Sequence, residues 1–329
     1  MCALSIVLLH VGGVTQAKIM PEISAFAVSV FFFLSGYGMI TSLKTQGSAY
    51  LEKFVPKHAI KLGIPFISAA VLYVLYFLYA QNNYGFKYYD EYSVTLKGVL
   101  LAFFEHGYTI VVNSWFVIAL FVFYLLFFVS FKGTKNLKYG AKTFAFLVII
   151  FTVFMFYLAQ YRGWYTAWYM QNFSIIVGIL YGLEKDHIDN VLKKHSQIIV
   201  CSLGIILFSL LAAFGVLKYS TDIGGYFNVA EYCTLNPIIP ICVIIAYSGY
   251  NFGLKKFWDF IGDNSYELYL IHGLFYYMFQ MGRLKIENML LLGICTIVVS
   301  IIVAFILNKI NKPIVKLLMK TLKKQEIAL

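Results

Sequence analysis

Residues 3–11, Ala3-Leu4-Ser5-Ile6-Val7-Leu8-Leu9-His10-Val11, and residues 30–39, Val30-Phe31-Phe32-Phe33-Leu34-Ser35-Gly36-Tyr37-Gly38-Met39, decide the fold class. Both runs are continuously apolar and lack the alternation of a barrel strand. In lipid, such a segment satisfies its own backbone polar groups only as a helix. The first run carries one titratable side chain. An ionisable group inside a spanning helix costs a few kcal/mol and normally faces a bundle interior or a watery cavity, which makes His10 a candidate site. The plainer alternative is a neutral imidazole bonded to a carbonyl of a neighbouring helix.

The same pattern recurs along the 329 residues, at about 1–15, 23–43, 62–80, 114–131, 142–160, 168–183, 196–217, 229–249, 265–281 and 286–308. With 61% hydrophobic, 19% aromatic and 12% charged residues, the composition excludes a pair of soluble domains. It predicts an all-α, polytopic integral membrane protein with about ten transmembrane helices, several near the minimum of roughly 20 residues that a bilayer requires. The first segment has neither a basic leader nor a small-residue cleavage pattern, so it reads as a helix and not as a signal peptide.

Charge gives the orientation. Lys44 to Lys61, Lys132 to Lys142, Lys185 to Lys194, Lys255 to Lys256 and Lys309 to Lys324 fall on one side of the alternating segments. Together they hold nineteen of the 26 Lys and Arg. Lys18, Lys87, Lys97, Arg162, Lys218, Arg283 and Lys285 fall on the other. Basic residues favour the cytoplasmic side, so both termini are expected in the cytoplasm of a multi-pass plasma-membrane protein. The net charge of +11 is spread between apolar runs, so no nucleic acid is expected as partner. The five cysteines have no CxxC spacing and suggest neither disulfides nor a metal site. Residues 1–308 read as one membrane-embedded unit. Residues 309–329 read as a basic amphipathic cytoplasmic tail, with Ile314, Leu317, Leu318 and Leu322 opposed to lysines against anionic lipid.

Three further stretches carry polar groups in useful places. Ser35, Gly36 and Gly38 are small enough to admit a second helix closely, and alone they are a packing motif. In Tyr50-Leu51-Glu52-Lys53-Phe54-Val55-Pro56-Lys57-His58-Ala59-Ile60-Lys61-Leu62-Gly63-Ile64-Pro65, the lysines at 53, 57 and 61 share one face of an interfacial helix beside His58. Such a face grips anionic lipid or a polyphosphate. In 263–272, Asp-Asn-Ser-Tyr-Glu-Leu-Tyr-Leu-Ile-His, Ser265, Tyr269 and His272 line up at i, i+4, i+7, and Asp263 or Asn264 is placed to cap the helix start. The longest connection on the less basic side, Gln81 to Asn113, holds Tyr84, Tyr88, Tyr89, Tyr92, Glu105 and His106.

Taken in order, a first-helix histidine, the run 31–39, the basic segment ending at Pro65, Asn113-Ser114-Trp115-Phe116, the glycines Gly178 and Gly182, and Ser265 to His272 resemble the acyltransferase-3 family of integral membrane O-acyltransferases. The resemblance implies transfer of an acyl group, usually acetyl, from cytoplasmic acyl-CoA to a hydroxyl of a cell-envelope polysaccharide or lipid-linked sugar. It implies no bound cofactor, with acyl-CoA as co-substrate and membrane lipids as surroundings. His10 matches the family's first-helix histidine, the catalytic base. The donor phosphates would rest on Lys57, His58 and Lys61, where the family usually carries arginines; lysine offers phosphate a point charge without a bidentate fork. The arginine that the family usually keeps eleven residues before its histidine would fall upstream of Met1. The acceptor would enter past Trp115, with His272, Tyr269 and Glu105 as candidates for catalysis or for positioning it. A transporter or flippase of glycans or lipid-linked precursors is the alternative, because intramembrane histidines also serve proton relays.

Overall fold

The computed structural model describes residues 20–89, 91–191, 194, 255–281 and 284–324. The predicted segments 1–15, with His10, 196–217 and 229–249 lie outside them.

Among the described residues the secondary structure is helical, with one isolated bridge between Tyr88 and Tyr92. The elements are α1 (Met20–Gln46), α2 (Ala49–Glu52), α3 (Phe54–Tyr84), α4 (Leu96–His106), α5 (Trp115–Phe131), α6 (Leu137–Arg162) and α7 (Ala167–Met170). They continue with α8 (173–191), α9 (Lys255–Asp263), α10 (Ser265–Gln280) and α11 (Met289–Lys324). Among the described residues four helices, in α1, α3, α6 and α11, are long and apolar enough to cross a membrane. The predicted segments 114–131, 168–183 and 265–281 appear as the shorter α5, α8 and α10. Ten spans are therefore not established by the described residues.

Two helices run further than the apolar pattern suggests. Residues 54–84 form one 31-residue helix with Pro65 inside it, where the sequence suggests a separate interfacial helix. Proline removes one backbone bond, and within a packed bundle its ring is accommodated: Pro65 is buried. Likewise 309–324 continue α11 without a break, through Pro313, so the lysine-rich stretch extends the preceding helix instead of starting a new one. At 1.5 Å per residue, 36 residues span about 54 Å, well beyond a hydrocarbon core of roughly 30 Å.

Packing between α1 and α8 explains the small residues of both. A Cβ at Gly36 would overlap the Ile175 carbonyl, and one at Gly178 would overlap the Phe33 carbonyl, so the two backbones touch where no side chain fits. Gly38, predicted to share this role, has no described residue within 4 Å of where its Cβ would be. Aromatic rings fill the interior, with Phe32 against Phe116 and Phe123, and Phe54 against Tyr124 and Phe127.

The lysines gather at one end of the bundle. Lys44 Nζ donates to the Gly182 and Leu183 carbonyls, Lys138 pairs with Glu184 at 2.8 Å, and Lys53 Nζ donates to the Leu322 carbonyl at 3.0 Å. The opposite end is closed by residues 81–114 and 162–168.

Candidate functional site

The chain from the end of α3 to the start of α5 is held at nearly every step. The Val94 amide donates to Gln81 Oε1 at 2.6 Å, tying the loop back to α3. Thr95 caps α4 by accepting from the Gly98 amide. The last carbonyls of a helix lack partners within it, and here the segment after α6 supplies them. Trp164 Nε1 donates to Phe104 O, the Tyr165 amide to His106 O, and Trp168 Nε1 to Gly107 O. Gly107 has φ +70, and a Cβ there would lie 2.7 Å from Trp168 Nε1, so both conformation and space demand glycine. Thr109 Oγ1 spends its proton on Val111 O and therefore accepts from Ser114 Oγ at 2.7 Å.

This scaffold borders two adjoining, partly open cavities. The larger, about 350 Å³, is lined by Phe86, Lys87, Glu91, His106 and Tyr277. The smaller, about 180 Å³, is lined by Gly107, Thr109, Asn113, Trp115 and Tyr165. Tyr89 and Tyr108 line both, stacked 3.9 Å apart and 10° from parallel. Among the described residues, Tyr89 (φ +49) and Asn113 (φ +64) are the non-glycine positions with positive φ, and both line the smaller cavity. Left-handed non-glycine residues cost of order 1 kcal/mol or more and concentrate where a ligand is clamped. Burial, then the neighbouring tyrosine hydroxyls, push the Tyr89 phenol well above its ordinary pKa, so it remains a neutral donor.

Beneath the smaller cavity α10 carries two of its polar side chains. The Tyr269 hydroxyl donates to the Asn113 carbonyl, and its ring meets Phe116 edge-on. His272 is fully buried, and its Nδ1 lies 2.7 Å from the Tyr269 carbonyl. A carbonyl only accepts, so Nδ1 carries the proton and the lone pair of the neutral ring is on Nε2. Gly273 admits Tyr73 beside it: a Cβ there would sit 2.7 Å from the Tyr73 hydroxyl.

Several residues singled out in the sequence take other positions. Trp115 is buried at the wall of the smaller cavity, packed against Trp168. Glu105 lines neither cavity; Tyr92 donates to its Oε2 at 2.5 Å, and burial followed by that bond raises the Tyr92 phenol above its ordinary pKa. Asn264 occupies the N-cap position of α10, but its side chain makes no capping bond. It donates to Phe260 O and accepts from Asn308 Nδ2, clamping α10 to α11. At the lysine end, Lys61 is exposed and Lys57 Nζ lies 5.6 Å over the Tyr50 ring. His58 Nδ1 bonds to Phe54 O at 2.7 Å, with its ring 4.4 Å from that of Tyr124. Just beyond, Ala59, Leu62, Gly63, Phe66, Val117 and Phe121 border an apolar groove of about 230 Å³.

The aromatic rings of the Gln81 to Asn113 connection were expected to stack on an acceptor sugar, and Tyr89 and Tyr108 are the two that line the smaller cavity; Gly107, Thr109 and Tyr165 are lining residues the sequence did not single out. Asn113 stood within a quoted motif; a left-handed backbone leaves no mark in composition. No curated protein and no solved structure matches the chain. A family model described as an acyltransferase domain matches residues 1–309.

Proposed function

The chain belongs to the acyltransferase-3 family, and from that premise we propose that this membrane acyltransferase moves an acetyl group from cytoplasmic acetyl-CoA to a hydroxyl of a cell-envelope glycan or lipid-linked sugar. The supporting observation is the smaller cavity: aromatic walls at Tyr89, Tyr108, Trp115 and Tyr165, hydrogen-bonding groups at Thr109 and Asn113, and, among the described residues, no charged side chain in its lining. A sugar ring offers apolar faces and a hydroxyl rim, the complement of such a lining.

In this reading the lysine end faces the cytoplasm of the plasma membrane, and the donor's phosphates rest on Lys57 and Lys61, with His58 beneath them. The apolar groove along α3 takes the thioester arm toward the membrane interior. His10, the family's first-helix histidine, removes the proton as the acceptor oxygen attacks the thioester carbonyl; the C–S bond breaks, and the thiolate leaves to be protonated as CoA. Tyr269 holds the Asn113 carbonyl and, with His272, positions the acceptor.

Membranes carrying the protein, supplied with radiolabelled acetyl-CoA and deacylated envelope glycan, test the assignment. At matched expression, His10→Ala is expected to lower transfer by a factor of roughly 10² to 10⁴, the usual worth of a general base. Transfer near the unmodified level would remove His10 from the chemistry, and no transfer by the unmodified protein would favour the glycan-transporter reading.

A further inference from the structure

The two cavities differ in chemistry although they share a wall. Among the described residues the smaller has no charged lining side chain, whereas the larger presents Lys87, Glu91 and His106. The wall between them is the Tyr89–Tyr108 stack, so a ligand that continues from one cavity into the other passes along aromatic rings. We propose that these are two consecutive acceptor subsites: an uncharged sugar unit that receives the acyl group occupies the smaller cavity, and the adjoining unit of the same chain lies in the larger one among Lys87, Glu91 and His106. This rests on the glycan-acceptor reading given above. The acceptor is accordingly an oligosaccharide or polymer of at least two units.

Three observations carry the order of the subsites. The Tyr269 hydroxyl of α10 bonds to the carbonyl of Asn113 in the lining of the smaller cavity, which ties that cavity to the polar stripe of α10 and places the reacting unit there. The left-handed backbone at Tyr89 and Asn113 fixes that cavity's shape, as discrimination of one ring requires. The larger cavity has movable groups instead. Lys87 is exposed, and His106 Nδ1 sits 3.3 Å from Gly163 O while its Nε2 lies 3.9 Å from Glu91 Oε2, a contact loose enough to open for sugar hydroxyls.

The experiment uses membranes of the full chain, labelled acetyl-CoA, and envelope polysaccharide that has been deacylated, mildly hydrolysed and separated into fractions of one, two, three and four units. The KM of the two-unit fraction is expected to be about tenfold below that of the single unit, the worth of one or two added hydrogen bonds, with little further gain at three or four. In Lys87→Ala and Glu91→Gln, both exposed positions, the ratio of single-unit to two-unit KM should fall toward one, while thermal stability in detergent stays within a few degrees. Equal KM values for one and two units, with the ratio unmoved in both variants, would overturn the second subsite and leave the acceptor reading intact. Absence of transfer to every fraction, with acetyl-CoA still bound, would instead count against the acceptor reading itself.

Discussion

The loop end and the lysine end of this bundle are held by different physics. At the loop end, backbone and rings are locked: two indoles and an amide close the last carbonyls of α4, Gly107 leaves no room for a side chain, and two non-glycine residues are kept left-handed. At the lysine end, long cationic side chains reach across to backbone carbonyls of neighbouring helices, as Lys44 does to Gly182 and Leu183 within α8, and Lys53 to Leu322 near the end of α11. A rigid cavity recognises shape. A flexible basic face attracts charge from a distance and tolerates rearrangement, because each surface contact is individually weak. The comparison suggests one end selecting an acceptor by fit and the other gathering an anionic donor by electrostatics.

The largest effect that would break this contrast is expected at Gly107. Gly107→Val places a β-branched side chain at φ +70 against Trp168 and should destabilise the fold by on the order of 2–4 kcal/mol, read as a lowered midpoint in detergent thermal melts together with loss of transfer. A melt unchanged from the parent protein would mean that the indole latch is not rigid. A smaller effect should follow from Tyr269→Phe, which removes the donor to the Asn113 carbonyl while keeping the ring against Phe116. An acceptor carbonyl left unsatisfied costs about 1–3 kcal/mol, so kcat/KM for the acceptor should fall roughly 5- to 100-fold with the KM for acyl-CoA little moved. If only the donor KM changed, Tyr269 would belong to the other half of the reaction.

The mildest change is predicted at the lysine end. Replacing Lys57 and Lys61 together by alanine should raise the KM for acetyl-CoA by roughly tenfold with kcat nearly retained, because ground-state phosphate contacts are lost. The penalty should shrink at high salt, which screens the attraction in the parent protein as well. Unaltered donor affinity in a stably inserted double variant would assign this face to anionic lipid.

Much of the architecture was legible beforehand. Continuous apolar runs foretold helices because lipid offers the backbone no alternative, and the alternation of lysines foretold that Lys44, Lys53, Lys138 and Lys185 would share one end, which the contacts among α1, α3, α6, α8 and α11 bear out. Helix ends were read less well. Apolarity marks where lipid begins and not where hydrogen bonding stops, so α3 and α11 run past the apolar stretches into the lysines. Of the residues named from sequence, Trp115 lines the smaller cavity, Tyr269 donates to the carbonyl of Asn113 in its lining, and His272 is buried within α10. Glu105, chosen from the same loop, is turned instead toward Tyr92.

By itself, then, the sequence determined the membrane class, the helical secondary structure, the segregation of charge and membership of an acyltransferase family, since each depends on composition or on patterns within a few residues. Only the tertiary structure decided which distant groups meet. Asn113 and Tyr269 are 156 positions apart, and Lys53 and Leu322 are 269 apart. The left-handed turns at Tyr89 and Asn113 are likewise imposed from outside, for neither residue prefers that conformation strongly enough to adopt it unaided. Local propensity fixes a helix, but a cavity exists only where packed helices hold a loop against its own preference.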